Sequence, residues 1–301
     1  MSQLLSVLLL VPTSLIGVIA NWLVIIGTWN SRSLSRSFSH LTINQAFFNE
    51  VFTTLCLFYA VPMIALDSKF LIANSHHCGF IMSICYDASI HAHFLVVINR
   101  FTAVFFPLIY EKLFSSKSTK CLILTSFLVS LGLLSYFFQY LPCQLYFSPQ
   151  LGSFIFTDNI ICSNYETYGA IFKMLGISLF DVVVDTITIW KVSRIKKRMR
   201  RGQPQVAACQ KKEIDCLRQS FAQSLYALLF SLIDKVLPLL PINSLIVFVL
   251  GTIIWSLFHS LDGVFILVFN SEIRKSLRSA RSSSLVAVNS MPEIPGSKTQ
   301  I

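Results

Sequence analysis

Seven long apolar runs, at about 4–29, 41–66, 79–106, 121–141, 168–190, 221–240 and 244–270, are separated by mostly short polar connections. Each reaches the ~20 residues that a helix needs to cross the hydrocarbon core of a bilayer. None alternates polar and apolar positions as a barrel strand does, and lipid offers an open backbone no hydrogen-bond partner, so seven membrane helices are predicted. Gly17, Pro62, Gly132, Gly176 and Gly263 fall inside these runs, which membrane helices tolerate.

Composition agrees. Of 301 residues, 54% are hydrophobic, 26 are phenylalanine and only 13% are charged, against about 25% in an ordinary soluble domain. The mean hydropathy is +0.67. The predicted class is an all-α membrane protein with the lipid bilayer as its first partner.

The connections set the orientation. Arg32 and Arg36 follow the first run, and Arg100, Lys112, Lys117 and Lys120 the third. Ten basic residues between Lys191 and Arg218 follow the fifth, and Arg274, Lys275, Arg278, Arg281 and Lys298 the seventh. In a seven-span arrangement these are 21 of the 24 Lys and Arg residues, all on one side. Basic loops stay cytoplasmic, so the amino terminus is expected outside and the carboxyl terminus inside, with the first run a retained span. The asymmetry accounts for the net charge of +10 without nucleic acid.

Three units follow. Residues 1–270 are the seven-helix domain. Residues 271–284, with Ile273, Leu277 and Ala280 on one face among basic residues, form an amphipathic cytoplasmic helix on the anionic inner leaflet. Residues 285–301 are a disordered tail. The outer loop at about 142–167 mixes aromatic, β-branched and turn residues, which suits a short hairpin over the outer mouth. Of the eight cysteines, Cys78, Cys143 and Cys162 are placed in outer loops, which allows one bridge and leaves one over.

Polar groups inside an apolar run are costly and usually functional. Asn21, Asn49, Ser89, His259 and Asp262 fall at a common depth and predict one shared network, a carboxylate among amides, a hydroxyl and an imidazole. Met82, Ser83, Tyr86 and Asp87 in the outer part of the third run, with Trp255 and Ser256 in the seventh, are candidates for a ligand pocket. No hydrolase, phosphate-loop, zinc-protease or Cys-x-x-Cys motif occurs, so no enzyme, cofactor or metal is expected; His76-His77 reads as a solvated pair.

In order along the chain, Asn21, Asn49, Arg100 closing the third run, and Asp262-Gly263 before a basic amphipathic stretch resemble the motifs of rhodopsin-type G-protein-coupled receptors. The segments "TINQAFFNE", "INRFTAVFFPLIYEKLF" and "SLDGVFILVFNSEIRKSL" are more closely similar to nematode chemoreceptors of the serpentine receptor class X family. The resemblance covers about residues 10–280. It implies a plasma-membrane chemosensory receptor that binds an extracellular small-molecule or peptide ligand and activates a heterotrimeric G protein. The coupling residues carried over are Asn99, Arg100, Phe101 and Pro107, with Asp185 or Glu213 as candidate partners of Arg100. Asn99 stands where the family has an acid, Phe101 where it has tyrosine, Asp262-Gly263 where it has Asn-Pro, and Ile266 where it has a further tyrosine. Cys78 lies three residues closer to Arg100 than the family's usual disulfide cysteine, so the pairing among Cys78, Cys143 and Cys162 stays open. The rival class is a small seven-span transporter or ion-conducting protein using Asp87, Asp181 and Asp185 as its path.

Overall fold

The computed structural model describes residues 3–141, 143–199, 204–236 and 244–279. Seven long helices form the bundle: α1 Gln3–Trp29, α2 Arg36–Ala65, α3 Ser75–Phe105, α4 Ser116–Tyr140, α5 Lys173–Met199, α6 Pro204–Val236 and α7 Leu245–Phe269. An eighth helix, α8, runs over 271–279. By length and composition α1 to α4 and α7 are each apolar enough to span a membrane. The end of the 221–240 run, the tail beyond 279 and Cys209 lie outside the described residues or side chains.

Local chemistry sets the helix limits. Ser35 and Ser115 cap α2 and α4 by accepting from the backbone N–H of Phe38 and Ser118 at 3.4 and 3.2 Å. Pro62 has no N–H to donate inside α2, and the turn just before it, Cys56–Ala60, widens to a π turn. Pro107 starts the short helix Pro107–Leu113, where a missing N–H costs nothing.

The sides of α1 show how the bundle is held. Leu8, Leu15, Ile16, Ile19 and Ile26 are exposed, whereas Ser14, Gly17, Asn21, Val24 and Thr28 are buried. Apolar side chains thus face lipid and small or polar ones face protein, the pattern expected where the surrounding solvent is itself apolar. α1 packs between α2 and α7, α3 contacts α2, α4, α5 and α6, and α5 lies along α6. On α8, Ile273 is fully buried and packs with Val24, Ala46 and Ile266.

Two antiparallel strands, β1 Leu145–Ser148 and β2 Ser153–Phe156, form the predicted hairpin, with Leu145 opposite Phe156 and Ser148 opposite Ser153. It is tied down at three places. Ser75 Oγ accepts from Phe147 N at 3.0 Å, and Ser153 and Thr252 hydroxyls meet at 2.9 Å. Gly79 permits the third, because a Cβ there would overlap the Leu145 carbonyl.

Cys143 is bridged to Cys162, in the short helix Ile160–Asn164. Of the three cysteines whose pairing the sequence left open, Cys78 is the one left over. α3 begins at Ser75, so Cys78 lies inside the helix, buried, with its thiol donating to Met82 Sδ at 3.7 Å. Alkylation under denaturing, non-reducing conditions is expected to label Cys78 and spare Cys143 and Cys162. Closing a loop of 19 residues removes about 3 kcal/mol of chain entropy from the unfolded state, so Cys143→Ser is expected to lower thermal stability and Cys143→Ser/Cys162→Ser to add little more. Full labelling of all three cysteines would refute the bridge.

Candidate functional site

Beneath the hairpin lies a cavity of about 530 Å³, within the range of small-molecule sites. Ser83, Tyr86, Asp87 and Trp255 line it, together with hairpin residues 153–156 and residues of the segment preceding α5, including Tyr165, Glu166 and Thr167. Asp87 is neutralised from α5 by the ammonium of Lys173, and His91 Nδ1 stands 3.6 Å from its other oxygen. At the exposed rim the protein wall desolvates the Glu166 carboxyl and raises it above its ordinary value. Met82 and Ser256 do not line this cavity. Met82 is buried against Cys78, and the Ser256 hydroxyl is taken up 3.3 Å from Ser14 on α1. Helical rotation explains both, since neighbours on a helix face different ways.

Deeper in the bundle, Asp262 is the meeting point of three helices. Its Oδ2 accepts from Gln45 Nε2 and Asn49 Nδ2 of α2, each at 2.6 Å, and its Oδ1 from Gln223 Nε2 of α6 at 2.5 Å. The Asn49 amide passes the network on: its Oδ1 accepts from Ser89 Oγ of α3 at 2.7 Å and lies 2.7 Å from His259 Nδ1. Because Asn49 Nδ2 is committed to Asp262, its oxygen can only accept, so Nδ1 carries the His259 proton. His259 also stacks on Phe52, with ring centroids 3.8 Å apart.

Asn21 differs from its expected place. Its Nδ2 donates to the backbone oxygens of Gly17 at 3.0 Å and His259 at 3.2 Å, not to the carboxylate. It joins α1 to α7, and Gly263 makes room for it: a Cβ there would stand 2.6 Å from Asn21 Oδ1.

A second polar cluster joins α3, α5 and α6. Asp185 accepts from Ser220 and Ser224, at 3.0 and 2.9 Å for the shorter bonds, and the Ser224 hydroxyl lies 2.9 Å from His93 Nε2. No ion pair joins Asp185 to Arg100, because the serine hydroxyls hold that carboxylate; the Glu213 side chain lies outside the described residues. Asp181 is buried, with neither carboxylate oxygen hydrogen-bonded to a described residue.

At the inner end of α3, Arg100 is 5% exposed and its guanidinium lies 3.8 Å from the centre of the Phe38 ring. A cation over an aromatic face is attracted by the ring quadrupole, by ~0.5–2 kcal/mol. Asn99 Nδ2 donates to Ser37 Oγ at 3.3 Å, and that hydroxyl meets Tyr110 OH at 2.8 Å. Asn99 thus tethers α3 to α2 and to the connection that follows α3. Phe101 stacks on Phe105 at 4.6 Å. The short helix opened by Pro107 presents Leu108 and Ile109, 92% and 56% exposed, beside Phe106.

With this geometry established, the comparisons are specific. Residues 11–270 match the family described as serpentine type 7TM GPCR chemoreceptor Srx. The chain belongs to this family. It is 28% identical over 310 aligned residues to Serpentine receptor class X 45 of Caenorhabditis elegans, an alignment that covers 95% of this chain and 84% of the relative. Its fold is similar to the crystal structure of squid rhodopsin, with a TM-score of 0.71 at 15% identity, over 97% of this chain and 89% of that one. The protein is therefore a multi-pass membrane receptor of seven-helix type, and its family is a receptor family.

In this receptor the sequence pattern led to Asn49, Ser89, His259 and Asp262 but not to Gln45 and Gln223. Gln45 carried a usable signal, lying four residues before Asn49 and so on the same face of one helix. Gln223 and Lys173 carried none beyond being polar in or beside an apolar run.

Proposed function

We propose that this receptor binds a small extracellular ligand in the cavity beneath the hairpin and turns that binding into activation of a heterotrimeric G protein. What supports the reading most is the run of contacts down α3. Ser83, Tyr86 and Asp87 face the cavity, Ser89 bonds to Asn49, and Arg100 stands eleven residues beyond Ser89, about 16 Å along the helix axis. Between the two ends, the Asp262 carboxylate ties α2 to α6 and α7.

The chemistry of the core suits a two-state element. The three amide donors offset much of the cost of a buried carboxylate, and all three bonds depend on the relative placement of separate helices. A ligand that prefers one placement shifts the population toward it. Movement of α6 away from α7 would break the Gln223 bond, open the inner end around Arg100, and admit the G-protein α-subunit onto Arg100, Phe106 and the short helix that carries Leu108 and Ile109. Asn99 and Phe101 hold that end in place, and Pro107 starts the helix.

The ion-path alternative is disfavoured because two of its three acids are committed, Asp87 to Lys173 and Asp185 to two serines, which leaves Asp181 alone and no continuous row of free carboxylates. The reading also fixes an outside amino terminus and an inside carboxyl terminus. Epitope tags at both ends, stained before and after permeabilising expressing cells, are expected to show only the amino-terminal tag on intact cells. A carboxyl tag visible without permeabilisation would overturn the orientation. A panel of small ligands applied to the same cells, with dissociation of the G-protein heterotrimer as the readout, tests the function.

A further inference from the structure

The charge balance of the outer cavity goes further than the ligand-site reading on which it rests. No Lys or Arg lines the cavity among the described residues, and its two acids are Asp87 and Glu166. Asp87 is already satisfied by the Lys173 ammonium, which reaches it from α5. The Glu166 carboxylate makes no ion pair or side-chain hydrogen bond with any described residue. Among the described residues, one uncompensated negative charge is therefore left on the wall. The same cavity is lined by aromatic side chains: Tyr165, the residue before Glu166, packs 5.7 Å from Phe156 of the hairpin, and Tyr86 packs 5.8 Å from Trp255. Aromatic faces attract cations and repel anions, and they give an apolar body a surface to cover.

We infer that the cavity selects a monocationic amine with an apolar body, its ammonium pairing with Glu166 and its body lying among Tyr86, Phe156, Tyr165 and Trp255. A carboxylate would meet Glu166 as a like charge with no cation among the described wall residues to offset it, and Lys173 is held by Asp87. A dication would exceed the single charge available. Wall and ligand then discriminate by sign before they discriminate by shape.

The test uses the full-length receptor purified in phosphatidylcholine nanodiscs and three probe sets on shared arylalkyl skeletons, ending in an ammonium, a carboxylate or an alcohol. Saturation-transfer NMR reports binding, and monodisperse elution with an unchanged unfolding temperature checks each variant's fold. Ammonium probes are expected to bind. Glu166→Gln is expected to weaken them at least tenfold, with Glu166→Asp restoring part of the loss. Ala170→Trp, which places a bulky side chain on the cavity wall, is expected to abolish their binding. Carboxylate or alcohol probes binding as well as the ammonium set would overturn the inference, as would failure of every ammonium probe to bind the folded receptor. Ammonium binding that ignores Glu166→Gln but is lost in Ala170→Trp would refute the charge assignment while leaving the cavity as the ligand site. Binding that survives Ala170→Trp would refute both.

Discussion

Replacing Arg100 by alanine is expected to abolish G-protein activation while leaving the receptor at the cell surface. The guanidinium is nearly buried at the inner end of α3, where it rests on the face of Phe38, an interaction of modest energy. Losing that contact alone costs ~0.5–2 kcal/mol, within the range that many proteins absorb. A docking partner would lose a permanent charge from the centre of its contact surface. Truncations of that kind at interface centres commonly cost about 2 kcal/mol or more, upward of roughly thirtyfold in affinity. Arg100→Lys is expected to rescue only partly, because a point charge does not reproduce a planar fork of donors or its packing on an aromatic ring. Surface staining alongside a heterotrimer-dissociation assay separates the outcomes. Normal signalling from Arg100→Ala would reduce this residue to an anchor that sets helix depth.

Exchanging the groups at Asn49 and Asp262 is expected to give a strongly non-additive result. In Asn49→Asp a second carboxylate would face Asp262 Oδ2, where the amide donor now stands at 2.6 Å. Two carboxylates that close repel or share a proton, and signalling should fall. Asp262→Asn leaves three amide donors competing for one oxygen, and signalling should fall again. In the double variant the carboxylate introduced on α2 would accept from Ser89, from His259 and from the amide introduced on α7, so the contacts between the two helices are rebuilt. Recovery should be partial, because Gln45 and Gln223 now bond to opposite oxygens of the Asp262 carboxylate and one of them would lose its acceptor. A coupling energy of about 0.5–3 kcal/mol is expected for residues in direct contact. Simple addition of the two defects at equal surface expression would refute the shared network. Glu50 should not substitute, since its side chain bonds to Thr54 instead.

The seven spans were legible because membrane helices announce themselves by long uninterrupted apolar runs. Their ends were not: α3 starts at Ser75, and its first turn, Ser75-His76-His77-Cys78, is too polar to join an apolar run. That single misplacement put Cys78 in a loop and left the disulfide open among three cysteines. The polar core was legible where a side chain was conspicuous against apolar neighbours, as Asn49, His259 and Asp262 are. Its full membership was not. Gln223 meets Asp262 across 39 residues and Lys173 meets Asp87 across 86, and no local pattern specifies which polar group on one helix will face which on another. The cavity shows the same limit. Ser83, Tyr86, Asp87 and Trp255 came from their depth and chemistry, while Met82 and Ser256 share the depth but point elsewhere.

The most direct measurement is reconstitution of the purified receptor in liposomes, with and without a heterotrimeric G protein, following guanine-nucleotide exchange and ion or solute flux together. Ligand-dependent exchange that disappears in Arg100→Ala, with no flux in either condition, is the expected result. Flux through the receptor in the absence of any G protein, with no exchange in its presence, would contradict it.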